Sequence, residues 1–257
     1  MLRQILEKCS QRVVLRRQLP KAYGGSHLYV TPGAALRYWH PNLRSVDKTL
    51  LDLALDFVRP GHVVWDVGAN VGLFAFAAAG LSGPKGKIYA IEPDAVLVSL
   101  LRRSASIPNP SAAAVTVLPL AVAESVGLKS FHIAARGRAA NHLNGFGLSQ
   151  AGGTRETQTI MSVSLDWLLT ELPPPNVIKI DCEGAESIIL SAGNRVLEEI
   201  RPTIICEVST ENQATVTSQF YRTRYILFDG QTDKKSRKPV GVAPWSTIAL
   251  PCERLNG

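Results

Sequence analysis

The chain has 257 residues, 46% of them apolar and 19% charged, a composition that suits a compact globular protein of one α/β domain or two small ones. No run of about 18 uncharged apolar residues occurs, so no membrane-spanning helix is expected. The net charge of +7 comes largely from Arg12 to Lys21 and from Lys234, Lys235, Arg237 and Lys238. Aromatic residues do not interleave with these clusters as a stacking platform would need, so a solvated basic surface is expected and a nucleic-acid partner is not.

In chain order, Met1 to Leu19 places Leu2, Ile5, Leu6, Cys9 and Val13 at helical spacing among Arg3, Glu7, Lys8, Arg12, Arg16 and Arg17. Those charges interrupt any signal-peptide core and predict an amphipathic helix packed on the domain. Residues 1–44 read as an N-terminal helical lead-in, and residues 45–257 as the main domain. A helix is expected near 46–58, ended by Pro60 and Gly61. Strand and helix patterns then alternate. Strands are expected near 62–67, 87–92, 115–120, 176–181, 202–208, 223–228 and 246–250, with helices near 71–80, 95–105, 184–198 and 210–219. The strands at 62–67, 176–180 and 202–206 are nearly continuous apolar runs, as in strands covered on both faces of a parallel, doubly wound sheet. Between the third and fourth of these strands lies an insert. Strands are expected there near 128–133 and 158–163, with a helix near 165–172 stopped by Pro173 to Pro175. Between its two strands, 136–153 is rich in Gly, Asn, Ser and Ala and reads as a mobile loop or lid.

The most informative stretch is Val63 to Gly72, an apolar strand that ends at Asp66 and turns through Gly68, Ala69, Asn70 and Gly72 into the helix from Leu73. Such a turn is a small-molecule cradle. A dinucleotide fingerprint would need glycines at 68, 70 and 73, where the chain has Gly68, Asn70 and Leu73. Asp66 would also set like charge beside a pyrophosphate. S-adenosylmethionine, with no phosphate and a positive sulfur, fits better. Glu92, at the end of the next strand, can accept hydrogen bonds from both ribose hydroxyls.

Asp181, Glu183 and Glu207 fall at neighbouring strand ends, on the edge where ligands bind. They can serve as a general base, as a divalent-metal site, or, for Glu183 with Glu186, as acids favoured at a helix N-terminus. His132 and His142, in the insert, are weaker candidates for a base. Cys9, Cys182, Cys206 and Cys252 show no C-x-x-C spacing. Neither a zinc site nor a disulfide framework is suggested, and a cytoplasmic location is expected.

Four segments together resemble the FkbM family of class I S-adenosylmethionine-dependent methyltransferases. They are V-W-D-V-G-A-N-V-G over 64–72, G-K-I-Y-A-I-E-P over 86–93, I-K-I-D-C-E-G-A-E over 178–186 and R-P-T-I-I-C-E-V over 201–208. The likeness spans roughly 45–251, and the third segment is the most specific. It implies a Rossmann-like, seven-stranded sheet, mostly parallel with an antiparallel last strand. It places the Asp66–Gly72 turn beside the methionine part of the cofactor, Glu92 on the ribose, Ala121 near the adenine and Asp181 facing the methyl group. It favours a hydroxyl of a small molecule or sugar as acceptor. The competing classes are an RNA methyltransferase and a non-catalytic cofactor-binding module.

Overall fold

A computed structural model of the chain describes residues 13–135, 137–146 and 152–255. The described lead-in has no α-helix, only short 3-10 turns at Lys21–Tyr23, Leu36–Trp39 and Leu43–Ser45. β1 (Leu15–Gln18) pairs antiparallel with β2 (His27–Val30). The helix expected over 1–19 is therefore a strand where it can be seen, and residues 1–12 lie outside the described residues. The local reason is an alternation of period two, which buries Leu28 and Val30. The hairpin packs directly on the domain: a Cβ at Gly80 would stand 2.3 Å from Gly24 Cα, so both positions exclude any side chain.

α1 (Lys48–Phe57) begins at Asp47, whose side chain accepts from the Leu50 amide at 2.9 Å. β3 (Val63–Val67) leads into α2 (Leu73–Ser82), β4 (Lys87–Ile91) into α3 (Ala95–Ala105), and β5 (Ala114–Leu118) into the insert. β6 (Ala121–Val122), β7 (Gly127–Ala134), β8 (His142–Leu143) and β9 (Thr154–Val163) form a separate four-stranded sheet in the order β6-β9-β7-β8. α4 (Leu165–Glu171) and β10 (Val177–Ile180) return the chain to the main sheet. There follow α5 (Glu186–Ser191), β11 (Thr203–Glu207), α6 (Gln213–Arg222), β12 (Tyr225–Asp229), β13 (Pro239–Val240) and β14 (Ser246–Pro251).

The main sheet runs β13-β12-β14-β11-β10-β3-β4-β5. Strands β11, β10, β3, β4 and β5 are parallel neighbours, and β14 is antiparallel to both β11 and β12. Eight strands replace the expected seven because the two residues of β13 add to the edge. Both faces are covered: Val64 joins one core cluster and its neighbours Trp65 and Val67 the other. Strand order reverses between β3 and β10, which opens a crevice at their carboxyl ends.

Two further expectations change. The helix expected over 184–198 is broken into α5 and a π turn, Val196–Ile200. The break holds because Asp166 accepts the Arg195 and Val196 amides at 3.1 Å each and caps the second piece separately. The expected mobile loop contains a 3-10 turn at Arg138–Ala140 and strand β8. Arg136 and residues 147–151 of that loop lie outside the described residues.

Candidate active site

A cavity of about 260 Å³ opens at the switch point. Gly68, Ala69, Asn70, Glu92, Ala121, Asp181, Glu183 and Glu207 all line it. Asp66 and Gly72, placed beside them by the sequence, do not. Gly72 begins α2 beneath Leu101 and Phe76. Asp66 is fully buried under the turn.

Gly68 is held to its identity twice. Its φ is +74°, and a Cβ there would stand 2.0 Å from the Asp181 carbonyl oxygen. The turn consequently lies flat against the end of β10. Four of its amides are spent internally: Gly68 and Ala69 donate to Ile91 O at 3.0 Å, Asn70 to Glu92 Oε2 at 2.8 Å, and Gly72 to Ala69 O at 2.8 Å. A phosphate cradle needs such amides free. That observation, rather than the charge of Asp66, disfavours a pyrophosphate ligand here.

Glu92 also accepts from the Asp94 amide at 2.9 Å. Burial pushes its carboxyl up to about 8, against the Asp94 and Asn70 amides, which favour the charged form. Each oxygen keeps lone-pair capacity for a further donor from the cavity.

Lys179 organises the floor, and sequence reasoning passed it over. It is 3% exposed; its ammonium lies 3.3 Å from Asp66 Oδ1 and 3.3 Å from Asp181 Oδ2, and donates to the Gly68 carbonyl at 2.7 Å. Burial opposes its charge, but Asp181, Asp66 and Glu207 outweigh that and hold it firmly protonated. Asp66 is thus the counter-ion of Lys179 and not a wall of the cavity. A signal was available: a lysine inside a continuous apolar strand needs a buried carboxylate partner, and the register sets Lys179 beside Asp66.

The three acids differ. Asp181 is paired with Lys179. Glu207 has no ion pair among the described residues; burial and the Asp181 charge raise its pKa, opposed by Lys179. Glu183 makes no hydrogen bond among them either. It sits at φ +35°, an uncommon conformation for a residue other than glycine, next to Gly184 at +93°. Burial, then the charges of Asp181 and Glu186, lift its carboxyl to about 7. Glu186, by contrast, is 2% exposed and accepts from the Gly184 amide and Asn212 Nδ2 at 2.8 Å each, a purely structural tie. Among the described residues no group of three or more His, Cys, Asp or Glu side chains is arranged to hold a metal ion. The Lys179 ammonium already sits where a cation would meet Asp66 and Asp181.

The roof comes from segments the sequence could not place. Arg138 and Asn141, in the insert, both reach Asp94 Oδ2, the latter at 2.7 Å. Arg138 N and Ala139 N donate to Gly33 O and Ala34 O at 3.1 Å each, so insert and lead-in close together over Glu92. Tyr38 from the lead-in and Trp245 from the segment before β14 also line the cavity. His142 lines it with Nδ1 3.1 Å from the Ala140 carbonyl, while His132 bonds Thr157 and Asn144 outside it. Of the basic cluster at 234–238, Lys234 and Arg237 pair with Asp56, 3.3 and 3.2 Å away. No helix among the described residues is long and apolar enough to cross a membrane.

An open α/β sheet with a ligand crevice at its switch point, a tight glycine turn and a buried carboxylate on the next strand defines the general class, a ligand-binding Rossmann-like domain. Residues 66–234 match the family model described as the methyltransferase FkbM domain, and the chain belongs to the FkbM methyltransferase family. Hexuronic acid methyltransferase AglP of Haloferax volcanii is 29% identical over 166 residues, covering 62% of this chain and 61% of that protein. The match therefore spans less than two thirds of that relative. Methyltransferase FkbM from Methylobacillus flagellatus KT is similar at 17% identity, over 80% of this chain and 51% of that one, with a TM-score of 0.47. A precorrin-6y C5,15-methyltransferase from Geobacter metallireducens GS-15 is similar at 16% identity over 80% and 87% of the two chains, with a TM-score of 0.44.

Proposed function

We propose that the cavity binds S-adenosylmethionine and that the chain methylates a hydroxyl of a small molecule or carbohydrate. The observation that carries this reading is the pair of adjacent strand tips: a turn whose amides at Gly68, Ala69, Asn70 and Gly72 are already bonded within the domain, beside a buried glutamate with acceptor capacity to spare. The residues fit the group on chemistry. Gly68, Ala69 and Asn70 would lie along its methionine part, and the Asn70 side-chain oxygen is buried without a partner. Glu92 would accept from the ribose hydroxyls, and Ala121 would flank the adenine. When bound, the group supplies a methyl carbon made electrophilic by positive sulfur.

The remaining work falls to the chain. An in-line displacement needs its nucleophile held in place, and orientation of that kind is worth roughly 7–11 kcal/mol. Lys179 fixes Asp181 at the rim of the crevice. Glu183 is the proposed base: unpaired, facing the cavity, with a carboxyl that titrates near neutrality. Glu207 backs it from the adjacent strand. A carbohydrate acceptor is supported by the relative named for a hexuronic acid, and the acids at the rim suit hydroxyl donors. The test is calorimetric titration with S-adenosylhomocysteine beside NAD, followed by transfer from radiolabelled donor to a panel of sugars and small alcohols. Binding of NAD alone refutes the reading.

A further inference from the structure

One end of the cavity carries groups that the methyl donor has no evident use for. Trp245 lines the cavity and is 49% exposed, although its carbonyl is fastened to the Val208 amide at 2.7 Å. Trp245 and Glu207 also line an adjoining recess together. Tyr38 lines the same cavity, is 3% exposed, and makes no hydrogen bond through its hydroxyl among the described residues. A buried phenol without a partner faces a ligand or water. The charges are equally specific. Lys179 is committed to Asp66 and Asp181, Arg138 to Asp94, and Arg37 to Asp47 at 3.4 Å. The buried cations lining the cavity are therefore matched, and the half-exposed Arg37 keeps its single contact to Asp47, while Glu183 and Glu207 have no ion-pair partner among the described residues.

We propose that Trp245, Tyr38 and Glu207 form the acceptor subsite and that it takes a neutral pyranose, ring face against the indole and hydroxyls on Tyr38 and Glu207, in preference to a uronic acid. The C–H face of a pyranose is an apolar surface that an indole can cover, and its hydroxyls are the donors that unpaired carboxylates lack. A ring carboxylate would instead enter beside Glu183 and Glu207 with no buried cation left to meet it. The assignment rests on the donor and hydroxyl reading above and adds to it the charge and seating of the acceptor.

The test uses the full-length chain with radiolabelled S-adenosylmethionine and matched acceptors: methyl glucoside against glucuronic acid, and methyl galactoside against galacturonic acid. Saturation-transfer NMR on the same pairs reads binding without turnover. The neutral member of a pair is expected to win by about tenfold or more in kcat/KM, the scale of one unmatched interaction. Trp245→Ala should raise its KM by about tenfold, Trp245→Phe by much less, and both should leave the affinity for S-adenosylhomocysteine within about twofold. Equal or better transfer to the uronic acids overturns the proposal. So does an unchanged KM in Trp245→Ala, or failure of every sugar to bind or react while S-adenosylhomocysteine still binds. Failure of S-adenosylhomocysteine to bind the wild-type chain would be a different result: it removes the donor reading, and the subsite falls with it.

Discussion

Replacing Lys179 by methionine isolates the buried charge on which the crevice is built. Methionine keeps the length of the stem and removes the ammonium, so the packing of β10 changes little. Asp66, with no exposed surface, is then left as a carboxylate without its partner. Breaking a buried pair in this way costs about 3–5 kcal/mol. Losing the bond to the Gly68 carbonyl adds about 1 kcal/mol. Asp181, whose side chain is 30% exposed, can recover water and contributes less. Against a total stability of roughly 5–15 kcal/mol, the variant should unfold at a distinctly lower urea concentration at pH 7.5. The deficit should also depend on pH in a definite direction. Burial raises the Asp66 pKa while Lys179 opposes the rise; without the ammonium the rise is unopposed. An acid whose folded pKa is raised binds its proton more tightly in the folded state, so acidification stabilises the fold across the window between the unfolded and folded values. Lowering the pH from 7.5 to 5.5 should therefore recover part of the loss, at up to about 1.4 kcal/mol per pH unit. The double variant Asp66→Asn, Lys179→Met removes both charges and should be more stable than Lys179→Met alone. Urea unfolding followed by circular dichroism reads all three. If Lys179→Met melts with wild type, or if the double variant is no better than the single one, the ammonium does not neutralise Asp66 and this account of the crevice floor is wrong.

Glu183→Gln should lower kcat by about 10²–10⁴-fold while sparing affinity for S-adenosylhomocysteine. In wild type the rate should climb with pH and level off above about 7, as the carboxyl of Glu183 becomes the basic form; that limb should flatten in the variant, and a full rate there removes Glu183 as base. Glu92 is raised to about 8, and ribose hydroxyls would favour its charged form, so binding of S-adenosylhomocysteine should tighten from pH 6 to 8 and release a proton, measurable by calorimetry in buffers of different ionisation enthalpy. Proton uptake would contradict the ribose assignment. Gly68→Ala sets a methyl 2.0 Å from the Asp181 carbonyl at a positive φ and should cost at least about 2 kcal/mol in unfolding experiments; a loss of less than about 0.5 kcal/mol would show that the turn is not held against β10.

From Lys48 onward the order of the longer strands and helices was legible in the chain because continuous apolar runs, glycine turns and capping residues act locally, whereas the two-residue strands β6, β8 and β13 and the break after α5 were not. The turn through Gly68, the acid at Glu92 and the acids at 181, 183 and 207 were legible for the same reason: each lies at the end of an apolar strand, and strand ends in an open α/β sheet meet at one edge. At the N-terminus the expected helix does not extend to residue 19, because Leu15–Gln18 pairs with His27–Val30 as a strand; the spacing that suggested it lies mostly in residues 1–12, outside the described residues. Tertiary contacts alone decided that Asp66 turns away from the cavity toward Lys179, since an ion pair between neighbouring strands is a matter of register, and register is invisible until the strands are laid side by side. They decided too that Tyr38, Arg138, Asn141 and Trp245, the first and last of them more than two hundred positions apart, converge on one crevice. Local propensity carries no information about such distant partners; burial of a shared surface, here closed over Glu92 by bonds from the insert and the lead-in, is what brings them together.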